Sequence, residues 1–130
     1  MGAHPSGSGN SGKQGAARLG REGERLAADH LSGLGYQLVG RGFLARRGEI
    51  DLICTRGGRL VMVEVKTRSS GAHGLPVEAV GPRKRRALAA AAAEYRALAG
   101  WRGPIDFALV SVMLPRPGAP AEIELLESPF

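Results

Sequence analysis

Residues 48–68 read GEIDLICTRGGRLVMVEVKTR, and the charges in this stretch decide how the chain folds. Two apolar runs flank Arg56-Gly57-Gly58-Arg59, a glycine pair of the kind that turns a β-hairpin. With Gly57 and Gly58 as the loop, Cys54 faces Val61, Leu52 faces Val63 and Ile50 faces Val65, an all-apolar surface. The opposite surface pairs Thr55 with Leu60, Ile53 with Met62, Asp51 with Glu64 and Glu49 with Lys66. A slip of one residue would mix the two sets. The sorting therefore predicts strands over 49–55 and 60–67 in this register.

That register brings two carboxylates together. Directly opposed side chains have Cβ atoms about 4.5–5.5 Å apart, so Asp51 and Glu64 repel unless a cation or a proton lies between them. Hard oxygen donors so placed suit Mg²⁺ or Mn²⁺. Lys66 is two residues from Glu64, on the same face, within reach of a metal-bound water or a phosphate. The alternative is a structural ion cluster in which Lys66 bridges Glu49 and Asp51. Two facts weigh against it. The strands are otherwise apolar, and the charges gather at one end.

Around this hairpin the sequence predicts a simple order. Leu19, Gly23, Leu26, Ala27, His30, Leu31 and Leu34 recur at helical spacing, so a helix is expected from Ala16 to about Leu34. Tyr36–Leu44 reads as a strand. Pro82 suits the first turn of a helix running to about Ala99, and Ile105–Met113 reads as a strand, with a short edge strand at Ala121–Leu126. The order is α-β-β-β-α-β with one further β. Residues 1–14 are rich in Gly and Ser with little to bury, and a flexible segment is expected there, followed by a single domain over 15–130.

Composition narrows the function. The net charge is +6, carried by 15 arginines and 3 lysines against 12 acidic residues. An Arg-dominated basic domain suits a polyanionic partner, nucleic acid first. Arg83, Lys84, Arg85 and Arg86 open a helix, where cations oppose the helix dipole, and phosphate contact would explain them. Cys54 is the one cysteine, which excludes an intramolecular disulfide and a cysteine-built zinc site within one chain. The longest apolar run, Ala87–Ala93, is far below the roughly 20 residues of a membrane span. No apolar leader precedes the domain, and a cytoplasmic protein without membrane contact is expected.

These residues resemble the PD-(D/E)xK nuclease superfamily, whose restriction-endonuclease-like fold is α/β, with an αβββαβ core and a central mixed sheet flanked by helices. The resemblance is closer to its small bacterial YraN-like family. It rests on Leu19-Gly20-Arg21-Glu22-Gly23-Glu24, Gly35-Tyr36, Gly48–Ile53, Val63–Arg68 and Asp106, spanning about residues 15–113. It implies a metal-dependent nuclease, DNA favoured over RNA, related to archaeal Holliday-junction resolvases. Those act as dimers, which makes a homodimer one arrangement to expect. It further implies Asp51 and Glu64 as metal ligands with the Val65 carbonyl, and Lys66 as the group that positions water and stabilises developing charge. Glu24 becomes the helix-borne carboxylate that completes the site, and Arg41 and Arg68 join the basic residues that meet nucleic acid. Gly42 stands where the family usually has Asn, and Ile105 where Arg commonly precedes the Asp matched by Asp106. A non-catalytic nucleic-acid-binding protein with the same fold is the competing reading.

Overall fold

A computed structural model describes residues 11–69, 80–115 and 119–128, with side chains from residue 20 onward. Its elements are α1 (Ser11–Gly33), β1 (Gln37–Leu44), β2 (Glu49–Arg56), β3 (Arg59–Ser69), α2 (Pro82–Ala99), β4 (Ile105–Leu114) and β5 (Glu122–Glu127). The expected order is found, and β5 completes a five-stranded sheet in the order β1-β2-β3-β4-β5. Among the described residues the architecture is α/β, a mixed sheet with two helices, consistent with a restriction-endonuclease-like core.

Gly57 and Gly58 centre the β2–β3 turn with φ of 59° and 78°. Positive φ at both loop residues matches the strand twist and favours glycine. The ladder runs from Arg56↔Arg59 to Leu52↔Val63 in the expected register. β3 then pairs in parallel with β4, from Leu60↔Ile105 to Ser69↔Leu114. A parallel neighbour needs a crossover, and α2 lies in that connection.

Both faces of the sheet are covered. Leu52, Cys54, Val61, Val63, Ala108 and Val110 pack with Ala27 and Leu31 of α1. Ile53, Leu60, Met62 and Leu109 pack with Leu88, Ala91 and Ala92 of α2. Burial on two sides explains why β3 reads as a nearly continuous apolar run. Cys54 is buried among these groups, and burial pushes its thiol up to about 11, which leaves it unreactive.

Three local expectations are corrected. Ile50, expected beside Leu52 and Cys54, is fully buried in the α2-side cluster with Ile53. The alternation slips at Asp51 because β2 leaves β3 after Leu52↔Val63 and stays with β1 through Phe43↔Ile50 and Leu44↔Glu49. Leu34, expected on the buried stripe, is 44% exposed. There Gly35 takes φ 96°, while Tyr36 N–H donates to Leu31 O and Gly35 N–H to Ser32 O. This Schellman ending turns the chain and buries Tyr36 in place of Leu34. Finally, α1 begins at Ser11, ahead of the apolar spacing that starts near Ala16. Elongating a formed helix is easy compared with nucleating one. Residues 1–10 lie outside the described structure.

Among the described residues no helix is long and apolar enough to cross a membrane.

Candidate metal and nucleic-acid site

The point where β2 and β3 part is the chemically distinctive place in the sheet. Past Leu52, the Val65 N–H is met by a side chain, donating to Asp51 Oδ2 at 2.8 Å. Asp51 is thereby fixed beside Glu64. Burial is the main influence on both carboxyls and raises both, with the Val65 hydrogen bond opposing the rise at Asp51. Glu64 is pushed up to about 7, by burial first and then by the charge of Asp51, against the pull of Lys84 and Lys66. When both carboxylates are ionised, Glu64 Oε1 is buried without a hydrogen-bond partner. When Glu64 is protonated, Asp51 is the acceptor within reach.

Lys66, half-buried on β3, acts on the Glu64 charge as the period-two spacing requires. Lys84, read from sequence as one of four phosphate-binding cations, is turned inward, its Nζ 3.2 Å from Glu64 Oε2. That pairing answers part of the dipole problem, since a largely buried carboxylate compensates the Lys84 charge at the helix start.

Glu24 reaches the site from α1. Its carboxyl is raised by burial first, then by Asp51 and Glu49, with Arg41 opposing. The helix comes this close because residue 23 is glycine. A Cβ there would lie 2.8 Å from Thr67 Cβ and 2.9 Å from Thr67 Cγ2, and would overlap Thr67 Oγ1. Glu24 nevertheless stands off. Among the described residues no three carboxylate, His or Cys side chains close on a common point that could hold a metal. The convergent pair is Asp51 and Glu64, with Val65 beside them through its backbone.

The basic residues fall into two groups. Arg83 and Arg86 are exposed in the first turns of α2. Arg85 is exposed too, though its Nε donates to Val80 O at 3.3 Å. Arg68 is half-buried near the end of β3, and Arg41 is exposed on β1 beside Glu24. Sequence reading passed over Arg46 and Arg47. They cap the β1–β2 turn, closed by Ala45 N–H donating to Gly48 O at 2.8 Å and tied to α2 by Arg46 N–H donating to Glu94 at 3.0 Å. Gly48 rests against Ala87, so both arginines lie beside the basic start of α2. An Arg-Arg-Gly between two strands was the available signal.

Two matched positions find structural explanations. Gly42 has φ 65°, a backbone that glycine and, among other residues, Asn tolerate best; the expected Asn and the observed Gly meet the same demand. Asp106 takes two hydrogen bonds from Arg59, at 2.5 and 2.9 Å, tying the hairpin to β4. A cleft of about 350 Å³ lies there, lined by Tyr36, Arg56, Arg59, Asp106 and Glu127 among others. Its charges are already paired. Arg59 meets Asp106, Arg56 lies 3.7 Å from Glu127, and the Tyr36 hydroxyl donates to Glu127. Neither Asp51 nor Glu64 lines it.

A sequence model of the uncharacterised protein family UPF0102 matches residues 23–112, more than half of the chain. The chain belongs to this family. The match begins at Gly23 and takes in Glu24, Asp51, Glu64, Lys66 and the basic start of α2. A family member from Clavibacter michiganensis is 45% identical over 118 residues, covering 85% of this chain and 93% of its own length. One from Symbiobacterium thermophilum is 42% identical over 114 residues, covering 87% and 96%. Another, from Porphyromonas gingivalis, is 38% identical over 111 residues, covering 85% and 82%. This is the YraN-like bacterial family that the motifs resemble.

Proposed function

We propose that the chain is a metal-dependent phosphodiesterase of the PD-(D/E)xK type that hydrolyses nucleic acid, DNA in preference to RNA. The observation that carries this reading is the meeting of Asp51 and Glu64 where β2 and β3 part, with Glu64 Oε1 buried and unpartnered. Crowded hard oxygens left short of a partner are the donor chemistry that Mg²⁺ or Mn²⁺ accepts. Asp51, Glu64 and the Val65 carbonyl would hold the ion, with Glu24 as an outer carboxylate. Such an ion neutralises charge on the phosphate oxygens.

The chain's own groups supply the rest. Lys66 orients the attacking water from the Glu64 face and stabilises charge that grows in the transition state. Arg46, Arg47, Arg83 and Arg86 hold the phosphate backbone alongside. The test is incubation of the purified chain with linear, single-stranded, flapped and four-way DNA, and with RNA, in Mg²⁺, Mn²⁺ or chelator. Metal-dependent cutting that Lys66→Ala abolishes while binding persists supports the reading.

A second reading is a nucleic-acid-binding protein without turnover. Two observations favour it. Lys84 already neutralises Glu64, and no third carboxylate closes on the pair among the described residues. Tight binding with no cutting on any substrate, in either metal, would decide for it.

A further inference from the structure

Lys84 has a second position open to it. Its Nζ lies 3.2 Å from Glu64 Oε2, yet the lysine side chain is 42% exposed while that of Glu64 is 15% exposed. The ion pair therefore sits at the mouth of the site, with Lys84 on its more exposed side. The ammonium occupies one oxygen of a carboxylate whose other oxygen is buried without a partner. A four-carbon stem with rotatable bonds can swing such a head group over several ångströms. On the solvent side it would join Arg83 and Arg86, exposed on the same turns of α2.

We propose that Lys84 is a cation-exchange group, which neutralises Glu64 in the metal-free protein and is passed to a nucleic-acid phosphate when a divalent cation takes its place. This rests on the phosphodiesterase reading for both the metal and the polyanion. An ion shared by Asp51 and Glu64 removes the charge that holds Lys84 and repels the ammonium. Loading the metal then frees one more cation to meet a phosphate beside the arginines. Linkage makes the effect reciprocal, so nucleic acid that captures Lys84 tightens metal binding.

The experiment uses the full chain and four variants, Lys84→Met, Lys84→Arg, Glu64→Gln and the Lys84→Met/Glu64→Gln double, each checked for folding by circular dichroism; Lys84→Gln replaces a Lys84→Met protein that fails to fold. In the first arm, calorimetry measures Mn²⁺ binding without nucleic acid. Loss of a competing, partly exposed ion pair should tighten Mn²⁺ binding by roughly two- to fivefold in Lys84→Met, and Lys84→Arg should stay close to wild type. In the second arm, fluorescence anisotropy follows a short DNA duplex in chelator. Glu64→Gln should bind it more tightly than wild type, and that gain should shrink by roughly three- to tenfold when Lys84 is already Met, the non-additivity expected of a contacting pair. Equal Mn²⁺ affinities, or equal Glu64→Gln gains in both backgrounds, overturn the exchange alone. Failure of every protein to bind Mn²⁺ overturns the exchange together with the metal reading.

Discussion

In metal-free buffer this protein's stability should depend on pH in the neutral range, with an unusual sign. In chelator, the Glu64 carboxyl titrates at about 7 in the folded chain against an ordinary value of 4.5. A raised carboxyl holds its proton more firmly when folded. Its contribution is complete below the unfolded value and is lost as pH rises through the folded one. At 1.36 kcal/mol per pKa unit the complete contribution is about 3 kcal/mol, most of which disappears between about pH 5 and pH 8. Asp51 and Glu24 are raised as well and add in the same direction. Glu22 and Asp106 are lowered by their arginine partners and titrate below this window. Urea unfolding in chelator across that range should show stability falling as pH rises. Glu64→Gln, a neutral isostere, should flatten most of the slope and be the more stable protein at alkaline pH. A wild-type curve that is flat or rises with pH would refute the reasoning, as would a Gln variant that keeps the wild-type slope.

Gly23→Ala should cost about 1–3 kcal/mol by overpacking α1 against Thr67, read as a lower melting temperature. Thr67→Ala should restore only part of it, because the Thr67 Cβ itself lies 2.8 Å from the added atom. Asp106→Asn should leave metal and nucleic-acid binding unchanged and lower stability by less than about 1 kcal/mol, since its Arg59 partner is exposed at the far end of the hairpin. Replacing Arg83, Arg85 and Arg86 together with Ala should flatten the plot of log K against log salt by roughly 0.7–0.9 for each phosphate that is no longer neutralised. An unchanged slope would mark the run as a solvated face.

Period-two sorting made the hairpin legible because both faces of β2 and β3 are buried, so each side chain reports its side. The same rule failed at Ile50. Alternation assumes that a strand keeps its partner, and nothing in GEIDLI announces that β2 stays with β1 while leaving β3. Leu34 failed for a related reason. Helical spacing extrapolates through a residue that the Gly35 turn has already carried off the face. The convergence of Asp51 and Glu64 could be read from the hairpin register, although the ladder ends one step short of them at Leu52↔Val63 and a hydrogen bond from the Val65 N–H to the Asp51 side chain takes over. The Lys84–Glu64 contact could not, because the two residues lie on separate elements that only tertiary packing brings together. Gly23 stood in the sequence as a helical glycine with a cost in propensity, and only the Thr67 contact reveals its purpose.

The parallel pairing of β3 with β4 has a consequence for how the chain acquires its site. The β2–β3 hairpin joins neighbours across a two-glycine turn, and hairpins of that kind form in about 1–10 μs. Pairing Leu60 with Ile105 must instead wait for a long intervening segment, α2 included, to be gathered in, and contacts between distant residues slow folding. Asp51 and Glu64 can thus meet in an early, half-assembled hairpin, whereas Lys84 arrives only when α2 docks. For that interval two acidic groups face each other with Lys66 beside them but without Lys84. A nascent chain emptied of divalent ions should therefore fold faster in mild acid than in mild alkali, and the unpaired β4 side of β3, with Val61 to Val63 still uncovered, would be the surface on which it aggregates.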